Sequence, residues 1–388
     1  MPDILGDVTD SHAPTEDLSA ENHLADFAAA GLTAPHLDSP LEPTVADAEP
    51  LCWGVVGPGA IAGRVVPDIA RLPDARLGAV SSRSLERAQA FAAEHGIERS
   101  YGDDDDRSGL AALAADPEID IVYVASPHGY HHEHVSALLK AGKHVLCEKA
   151  LAVTAAEVAD LIATARAQGV LLMEAVWTAM TPGFRRVMRL IADGAIGTVH
   201  GVSGAIGSHV PADGSNRLFA PADGGGVTLD MLVYPLLWSD ALQGEVRRRT
   251  EVAHLGPTGV DDDLALQLDR QYGWAQLSAT LRREPVTGVS ISGTDGWLRV
   301  DGRITNPVRI EVMTARSREA GEDPHVEEFE TLGAGYVPQM REATRCVREG
   351  LTESPLVPWS LSLSRAELFD AIRAAIGLHL PNDDRRFS

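Results

Sequence analysis

The chain has 388 residues, 44% of them hydrophobic and 23% charged, which suits a globular protein of two domains. The formal net charge of −23 repels phosphate backbones and removes the main driving force for nucleic-acid binding, so no nucleic-acid partner is expected. No apolar run reaches the roughly 18 residues of a membrane span, and the acidic start lacks the basic region of an export signal. We therefore expect a cytoplasmic protein with no membrane partner.

Residues 1–50 mix Asp, Glu, Ala and Pro and carry eleven acidic side chains without a single Lys or Arg. This composition predicts a disordered acidic tail whose removal leaves folding and cofactor affinity unchanged. The three cysteines, Cys52, Cys147 and Cys346, are far apart and lack the spacing of metal ligands. They are expected to be reduced thiols, and no metal site is predicted.

From residue 51 onward, short apolar runs alternate with helical patterns. Strands are predicted at 51–56, 76–80, 119–125, 144–147 and 170–174, and helices after residue 59 and at 85–95, 131–140 and 154–168. Gly96 and Gly169 stand where two of these helices should end. The alternation predicts a doubly wound, parallel α/β sheet (a Rossmann domain) over residues 51–175.

The pattern changes in residues 176–388. A helix over 181–193 and another near Asp230 precede successive strands between 246 and 312, with a tight turn at 293–296. Two helices, near 339–348 and 360–376, follow. This order predicts an α+β domain built on a largely antiparallel open sheet.

The turn after the first strand reads Gly57-Pro58-Gly59-Ala60-Ile61-Ala62. Between a strand and a helix, Gly-x-Gly-x-x-Ala is typical of a dinucleotide loop: the first Gly permits the tight turn and the second lets the backbone approach the pyrophosphate. The amides of Ala60 and Ile61 open the helix, whose positive end attracts phosphate. The alternative is a glycine turn in a sheet that binds no dinucleotide.

The end of the second strand bears on cofactor choice. NAD-binding proteins usually place an acidic residue there, whereas this chain has Ser82 and Arg83. A guanidinium and a hydroxyl suit the 2′-phosphate of NADP, so the sequence favours NADP, with NAD as the alternative.

Three residues are candidates for catalysis. Lys149 is one of only three lysines and ends a predicted strand at the sheet edge where ligands bind. Asp230 and Tyr234 are four residues apart, which places them on one face of a single predicted helix. A nearby ammonium is expected to lower the pKa of the Tyr234 hydroxyl toward neutrality, as acid–base catalysis requires. A purely structural role for this pair is an equal alternative.

One other feature, a run of histidines, is predicted to carry no chemistry of its own. The histidines between His128 and His134 enter a helix and should scatter over several faces, so they do not indicate a metal site. The glycine run 224–226 is expected to let the backbone approach a ligand closely.

From about Leu51 to Pro381, the chain resembles the glucose–fructose oxidoreductase, inositol dehydrogenase and rhizopine-catabolism (Gfo/Idh/MocA) family, in particular its NADP-dependent dihydrodiol and D-xylose dehydrogenase branch. Its landmarks are the segments 57–62, 82–84, 126–131, 141–149, 173–178, 224–234 and 350–355. The resemblance implies that Lys149 contacts the nicotinamide ribose and the substrate hydroxyl. It further implies that Tyr234 is the general acid/base, that Asp230 supports proton transfer, and that members dimerise through the open sheet face. The resemblance also implies a set of residues along the cofactor or substrate cleft: Ser126, Pro127, His131, Glu148 and Trp177.

The sequence departs from the family pattern at three positions. Ala150 replaces the proline of Glu-Lys-Pro, Leu232 replaces the glycine of Asp-x-Gly, and Ala179 stands where an arginine is usual. Without proline we expect a trans peptide bond between Lys149 and Ala150.

The leading hypothesis is an NADP-dependent enzyme that transfers a hydride between nicotinamide and a CH–OH group of a sugar, polyol or dihydrodiol. One alternative is a regulator on the same scaffold that senses dinucleotide or sugar without turnover. The other is a sugar-modifying enzyme that keeps and recycles a bound cofactor.

Overall fold

A computed structural model describes residues 33–43, 45, 48–104, 107–212 and 216–385. Its first domain contains a parallel sheet in the order β3-β2-β1-β4-β5-β6. The strands are β1 Leu51–Val56, β2 Ala75–Ser81, β3 Arg99–Tyr101, β4 Ile121–Val124, β5 His144–Glu148 and β6 Leu172–Ala175. The helices are α1 Ala60–Ile69, α2 Leu85–His95, α3 Gly109–Ala114, α4 His131–Lys140 and α5 Ala155–Gln168. The predicted Rossmann architecture is therefore confirmed.

Local signals explain why these helices begin and end where they do. The Ser84 hydroxyl accepts from the amide of Arg87 at the start of α2, and Thr154 and Glu157 form a reciprocal capping box at the start of α5. Gly96 and Gly169 adopt the left-handed conformation that ends α2 and α5, as their positions in the sequence predict.

The strand order places the ligand edge of this sheet. The strands β2 and β3 lie on one side of β1, and β4, β5 and β6 lie on the other. This reversal of direction opens a crevice at the carboxyl ends of the strands. The predicted dinucleotide loop follows β1, Ser82 and Arg83 follow β2, and Ser126 follows β4. Residues distant in sequence are thereby brought to one edge.

The second domain is built on an eight-stranded sheet in the order β14-β13-β12-β11-β7-β10-β9-β8. Its strands are β7 Val199–Gly207, β8 Val246–Leu255, β9 Asp261–Arg270, β10 Gly273–Thr280, β11 Gly288–Gly293, β12 Gly296–Asp301, β13 Arg309–Thr314 and β14 His325–Glu328. The helices are α6 Pro182–Ala192, α7 Val227–Asp230, α8 Val233–Gln243, α9 Ala315–Ala320, α10 Val337–Arg348 and α11 Trp359–Ile376. The prediction of a largely antiparallel sheet is confirmed.

The strand β7 escaped the sequence analysis because glycines interrupt it, yet it lies inside the sheet, parallel to β10 and antiparallel to β11. One glycine has a packing role: a Cβ at Gly204 would lie 2.9 Å from Cβ of Pro235 in α8. The bare backbone lets α8 approach the sheet closely, and Tyr234 is the residue beside Pro235. The glycine that weakens the strand pattern in the sequence thus helps to set the position of a candidate catalytic side chain.

Part of the predicted tail is docked on the two domains, which corrects the expectation for the segment 33–43. Ala34 and Leu37 are buried, and Arg185 donates to the carbonyl of Ala34 and to the carboxylate of Asp38, both at 2.9 Å. The Arg341 Nε donates to the carbonyl of Pro40 at 2.8 Å. Buried arginines that need acceptors explain this docking, which composition alone does not reveal. Residues 1–32, 44, 46 and 47 lie outside the described part of the chain.

No helix in the described residues is long and apolar enough to cross a membrane. The three cysteines are buried and unpaired. Within the same residues, no group of three or more His, Cys, Asp and Glu side chains has the arrangement of a metal site.

Candidate active site

A cleft of about 850 Å³ runs along the carboxyl edge of the first sheet and ends against the second domain. Most of the predicted site residues line it: Gly57, Gly59, Ala60, Ile61, Ser82, Arg83, Ser126, Pro127, Glu148, Lys149, Asp230 and Tyr234. The cleft has two ends, which differ in construction. We call the part formed by the loops after β1 and β2 the cofactor end, and the part around Lys149, Asp230 and Tyr234 the catalytic end.

The cofactor end has the features that a dinucleotide requires. Gly57 has φ +86°, and a Cβ there would lie 3.0 Å from the backbone nitrogen of Ser126, so only glycine fits the turn. No atom lies within 4 Å of a Cβ built on Gly59, which leaves its backbone open to the cleft. Gly59 caps α1 without a side-chain hydrogen bond, so the first amides of the helix remain available to a phosphate. The residues present therefore fit a pyrophosphate.

Two arginines stand next to the end of β2. Arg83 lies with its guanidinium carbon 5.5 Å from the centre of the Tyr130 ring, and Arg87 projects from α2 into the same part of the cleft. In the described part of the chain, neither guanidinium has a hydrogen-bond or ion-pair partner. No acidic residue lines this region, so the two cations are available to an anion.

The peptide between Lys149 and Ala150 is held from both sides by histidines. His128 Nε2 lies 2.9 Å from the carbonyl oxygen of Lys149, and His131 Nδ1 lies 2.9 Å from that of Ala150. This peptide bond is cis, so our expectation of a trans bond was wrong. We expected a trans bond because the proline is missing, and the sequence did not reveal these contacts with the two histidines. Burial lowers the pKa of His128 to about 3, so the ring is neutral and donates from only one nitrogen.

Lys149 is the centre of the catalytic end. Its Nζ donates to the backbone carbonyl of Asp230, lies 3.5 Å from Oδ1 of the same residue, and stands 4.8 Å from the centre of the Tyr234 ring. Arg217 Nη2 donates to Oδ1 of Asp230 at 3.0 Å, and His128 Nε2 lies 3.8 Å from that oxygen. The carboxylate of Asp230 therefore receives two cations in a nearly buried position.

Asp230 and Tyr234 do not share one helix, contrary to the prediction. The helix α7 ends at Asp230, α8 begins at Val233, and Leu232 is fully buried at the break between them. Both side chains still line the cleft. The i,i+4 spacing suggested their proximity correctly, but the packing of Leu232 interrupts the continuous helix that this argument assumed.

The pKa shifts indicate which of these groups are charged in the chain alone. Burial raises the pKa of Tyr234, and the opposing effect of Lys149 is smaller, so the expected fall toward neutrality was wrong for the chain alone. Burial acts to lower the pKa of Lys149, but the combined effect of Asp230, Tyr234 and Glu148 is larger and raises this pKa above its ordinary value. Burial also acts to raise the pKa of Asp230, yet Lys149 and Arg217 hold it well below its usual range. At neutral pH Lys149 and Asp230 are ionised, and Tyr234 carries the proton.

Two of the predicted cleft residues lie behind the wall rather than on it. His131 is fully buried, with its Nε2 2.7 Å from the carbonyl oxygen of Ser126. Trp177 packs its ring against that of Tyr336, with 4.4 Å between the ring centroids. Neither is among the described residues that line the cleft.

The glycine run 224–226 approaches protein rather than a ligand, which corrects its interpretation. A Cβ on Gly224 would lie 2.8 Å from Cβ of His128, and one on Gly226, where φ is +111°, would lie 2.0 Å from Oδ1 of Asp261. The run therefore lets the segment before α7 pack tightly, and through α7 it fixes the position of Asp230. Ala150 and Ala179, at two positions that depart from the family pattern, are buried.

Sequence analysis missed several cleft residues. They are Arg64, Arg87, Tyr130, His134, Ile206, Asn216, Arg217 and Met231, among others. Arg87 lies in the first turn of α2, directly after Ser82 and Arg83, and this position was a usable signal. Arg217 had none, because its place beside Asp230 depends on how the loop after β7 folds back.

Comparisons with known proteins agree with this geometry. Residues 51–176 match the model of the GFO/IDH/MocA oxidoreductase family with an NAD-binding Rossmann fold, and residues 184–299 match the GFO/IDH/MocA C-terminal domain. A trans-1,2-dihydrobenzene-1,2-diol dehydrogenase of Bos taurus is 31% identical over 340 residues, 86% of this chain and 99% of that protein. The Homo sapiens enzyme of the same name is 31% identical over 347 residues, with the same coverage.

Solved structures show the same fold. KijD10, a 3-ketoreductase from Actinomadura kijaniata in complex with NADP and TDP-benzene, has a TM-score of 0.73 at 27% identity and covers 84% of this chain and 98% of its own. Levoglucosan dehydrogenase in complex with NADH and levoglucosan has a TM-score of 0.77 at 20% identity, covering 86% of this chain and 100% of its own. These relatives are all named as enzymes, and none supports a regulator without turnover. The chain therefore belongs to the Gfo/Idh/MocA family and is an NAD(P)-dependent oxidoreductase of CH–OH groups.

Proposed function

We propose that this protein is an NADP-preferring dehydrogenase that oxidises a secondary alcohol of a cyclic diol, sugar or polyol, with Tyr234 as the general acid/base. The observation that carries the proposal is the meeting of Lys149, Asp230 and Tyr234 at one end of a cleft whose other end presents a dinucleotide loop and two arginines that have no hydrogen-bond or ion-pair partner among the described residues. Bound nicotinamide would supply the hydride acceptor, and the chain must handle the proton.

The proton has one route among these residues. In the reductive direction, Tyr234 donates its hydroxyl proton to the carbonyl oxygen of the substrate, and in the oxidative direction its deprotonated form, the tyrosinate, accepts the proton of the alcohol. Lys149 stabilises the tyrosinate that forms in the first case, because its ammonium stands 4.8 Å from the Tyr234 ring. Asp230 holds that ammonium in place and stays ionised throughout.

The preference for NADP rests on charge at the cofactor end. The 2′-phosphate carries negative charge and three acceptor oxygens, and Arg83 and Arg87 offer two guanidinium groups next to the Ser82 hydroxyl. NAD lacks this phosphate and would leave both guanidinium groups without a partner. NADP should therefore bind more tightly than NAD.

A diol is favoured over a simple alcohol by the composition of the catalytic end. Beyond Tyr234, it presents the ammonium of Lys149, the guanidinium of Arg217 and the carboxylate of Asp230, which can donate to and accept from a second hydroxyl. The relatives named trans-1,2-dihydrobenzene-1,2-diol dehydrogenase are consistent with such a substrate. Trans-dihydrodiols and pyranose sugars both offer neighbouring hydroxyls on a ring.

The test is a panel of trans-dihydrodiols, aldoses and cyclic polyols with NADP and with NAD, followed by the absorbance of reduced nicotinamide. We expect turnover with at least one diol and a higher kcat/KM with NADP. Tyr234→Phe should lower kcat by about 10²–10⁴ while NADP affinity stays nearly unchanged. Wild-type turnover in Tyr234→Phe, or tight NADP binding with no turnover of any compound, would contradict the proposal.

The proposal extends to oligomeric state. In β10, Trp274 and Gln276 are exposed while Ala275 and Leu277 are buried, so one face of the second sheet is open in the single chain. A second copy packed on this face would cover it and form a homodimer. Light scattering should give twice the mass of one chain, and a monomer at micromolar concentration would contradict this.

We place the protein in the cytoplasm. The support is chemical: Cys52, Cys147 and Cys346 are unpaired and buried, as suits a reducing compartment. Fractionation of cells that produce the protein should recover it with cytoplasmic markers.

A further inference from the structure

The short helix α7 holds Lys149 in place, and this helix has little structure of its own. Lys149 Nζ donates to the backbone carbonyl of Asp230, the last residue of α7, and lies 3.5 Å from Oδ1 of the same residue. Both contacts therefore depend on where α7 lies. The helix spans only the four residues Val227–Asp230, and an isolated turn of helix is not stable by itself. Other parts of the chain must fix its position.

A buried carboxylate of the second sheet makes the contact that does so. Asp261, the first residue of β9, is 0% exposed. Its Oδ2 accepts from the backbone amide of Thr228 at 2.9 Å and from the Thr228 hydroxyl at 2.5 Å. The residue at the N-terminal cap of α7 is Gly226, which has no side chain that could accept from a helix amide. Asp261 thus acts as the capping side chain from a position 33 residues further along the chain.

Asp261 also contacts the backbone that leads into α7. A Cβ on Gly226 would lie 2.0 Å from Oδ1 of Asp261, so the bare backbone of this glycine rests directly on the carboxylate. Oδ1 has no hydrogen-bond partner among the described residues. The carboxylate therefore holds α7 through two hydrogen bonds to one oxygen and through packing on the other. Thr228 is likewise 0% exposed, so the two bonds are shielded from bulk water.

These contacts form a continuous path from the second sheet to the first domain. Asp261 on β9 binds Thr228, which lies two residues before Asp230 in α7. Asp230 in turn binds Lys149, which follows β5. A displacement of α7 would move the carbonyl and the carboxylate of Asp230 together, and with them the ammonium that stands beside the Tyr234 ring. Misplacing a catalytic group by about 1 Å can lower a rate by about 10².

We propose that Asp261 is a positioning residue for Lys149, which it holds through Thr228 and Asp230. This inference rests on the proposed role of Lys149 in supporting Tyr234. Asp261 is not among the described residues that line the cleft, so it acts without touching substrate or cofactor. Weakening its contact with α7 should therefore free the Lys149 ammonium and slow turnover, while the cofactor end stays as it is.

The first experiment measures how firmly Lys149 is held, without any substrate. The chain has only three lysines, Lys140, Lys143 and Lys149, so the acetylation of each can be followed by mass spectrometry. Lys140 is exposed and serves as the internal reference, whereas Lys149 is 8% exposed. The acetylation rate of Lys149 relative to Lys140 should rise about tenfold in Thr228→Val, the equivalent of one hydrogen bond to a charged group. Thr228→Ser, which keeps the hydroxyl, should restore the wild-type ratio.

A matched control comes from Thr344 in α10. Its hydroxyl is buried and has no hydrogen-bond partner in the described part of the chain, so Thr344→Val makes the same substitution without breaking such a bond. This variant should leave the Lys149 ratio unchanged. Asp261→Val and Asp261→Asn form a second pair, which tests the inference should Thr228→Val not fold. Asp261→Val should raise the ratio, and Asp261→Asn, whose amide oxygen can accept both bonds from Thr228, should stay near wild type.

The second experiment measures kcat and NADP affinity with the panel compound that is turned over fastest. In Thr228→Val, kcat should fall by about 10- to 100-fold because Lys149 is misplaced. NADP affinity should change little, because the contacts of the cofactor end and the charge of Lys149 both remain. A loss of stability alone would lower the unfolding midpoint without changing the acetylation ratio or the kcat of the folded protein.

The outcomes separate this inference from the proposed function. An unchanged acetylation ratio in both Thr228→Val and Asp261→Val would show that Asp261 does not position Lys149, whatever the turnover. A raised ratio with wild-type kcat would show that Asp261 holds Lys149 and that the proposed catalytic role of Lys149 is wrong. A raised ratio with a lowered kcat, both restored in Thr228→Ser, is the expected result.

Discussion

The two ends of the cleft are built on opposite principles. The cofactor end consists of backbone amides, an open glycine and the guanidinium groups of Arg83 and Arg87, which have no hydrogen-bond or ion-pair partner in the described residues. At the catalytic end, by contrast, Lys149, Asp230 and Tyr234 already contact one another or neighbouring side chains. One end is a receptor that is completed by the charge of its ligand, whereas the other is a preorganised network that needs no ligand to hold its geometry.

This difference predicts how substitutions act. Removing a charge from the receptor end should weaken the binding of one cofactor and leave the fold intact. Removing a charge from the network end should leave a buried partner uncompensated, and both turnover and stability should then fall.

The largest effect is expected for Lys149→Met, which keeps the length of the side chain and removes its charge. The buried carboxylate of Asp230 would lose its nearest ammonium, so the free energy of unfolding should fall by about 3–5 kcal/mol. Turnover should fall by at least ~10², and NADP binding should weaken as well. Lys140→Met, on the exposed end of α4, is the control. Turnover within tenfold of wild type would mean that Lys149 does not stabilise the tyrosinate.

The next effect is at the receptor end. Arg83→Ala should cost about 1.5–3 kcal/mol of NADP binding, the value of a hydrogen bond to a charged group, and little of NAD binding. Arg87→Ala should act in the same direction because it faces the same region of the cleft. Titration of each variant with both cofactors checks this, and thermal unfolding should be unchanged because neither arginine pairs with a described residue. Equal losses for NADP and NAD would sink the assignment of a 2′-phosphate site.

The same difference explains how much could be read from the sequence. The receptor end is local: the glycine loop, Ser82 and Arg83 each act through backbone geometry or through a side chain within a few residues of a strand end. Capping residues such as Ser84 and Thr154 likewise act on their own helix. The glycine loop, Ser82 and Arg83 were predicted because their physical cause lies within a short segment.

The network end depends on contacts between distant segments, and there the predictions were incomplete. Lys149, Asp230 and Tyr234 were identified, but the helix break at Leu232 and the raised pKa of Tyr234 were not. Arg217 and Tyr336 gave no signal at all, because one lies in a loop and the other precedes a helix. Their role depends on the folded chain bringing them to Asp230 and to Trp177.

The docked segment 33–43 is a third region, and its contribution to stability is expected to be smaller. The comparison is between a chain that begins at residue 33 and one that begins at residue 49. The two differ only in residues 33–48, which are this segment and the short stretch after it. The shorter chain should lose about 1–3 kcal/mol of unfolding free energy, because Arg185 loses its hydrogen bonds to Ala34 and Asp38 and Leu37 leaves its buried position. Chemical denaturation of the two truncated chains measures the difference, and equal midpoints would show that the docking contributes nothing.

The smallest effect concerns Glu342, which anchors this segment to α10. His36 Nε2 lies 2.6 Å from its carboxylate, Arg345 donates to both of its oxygens at 2.9 Å, and Ser354 donates at 2.5 Å. Burial acts to raise the pKa of Glu342, but these hydrogen bonds lower it to about 2, from an ordinary value of 4.5. A carboxylate whose pKa is lower in the folded state contributes its full stabilisation above the unfolded pKa and loses it as the pH falls toward the folded one.

Wild-type protein should therefore lose about 1 kcal/mol through Glu342 alone between neutral pH and pH ~4, and more below that. Glu342→Gln cannot titrate, so its unfolding free energy should fall less steeply over the same range even though it starts lower. Subtracting the two pH profiles removes the contribution of the other carboxylates, Asp230 among them, that both proteins share. The chain that begins at residue 49 lacks His36 but keeps Arg345 and Ser354, so its profile should lie between the two. Parallel profiles for wild type and Glu342→Gln would show that the buried carboxylate is not held ionised by these partners.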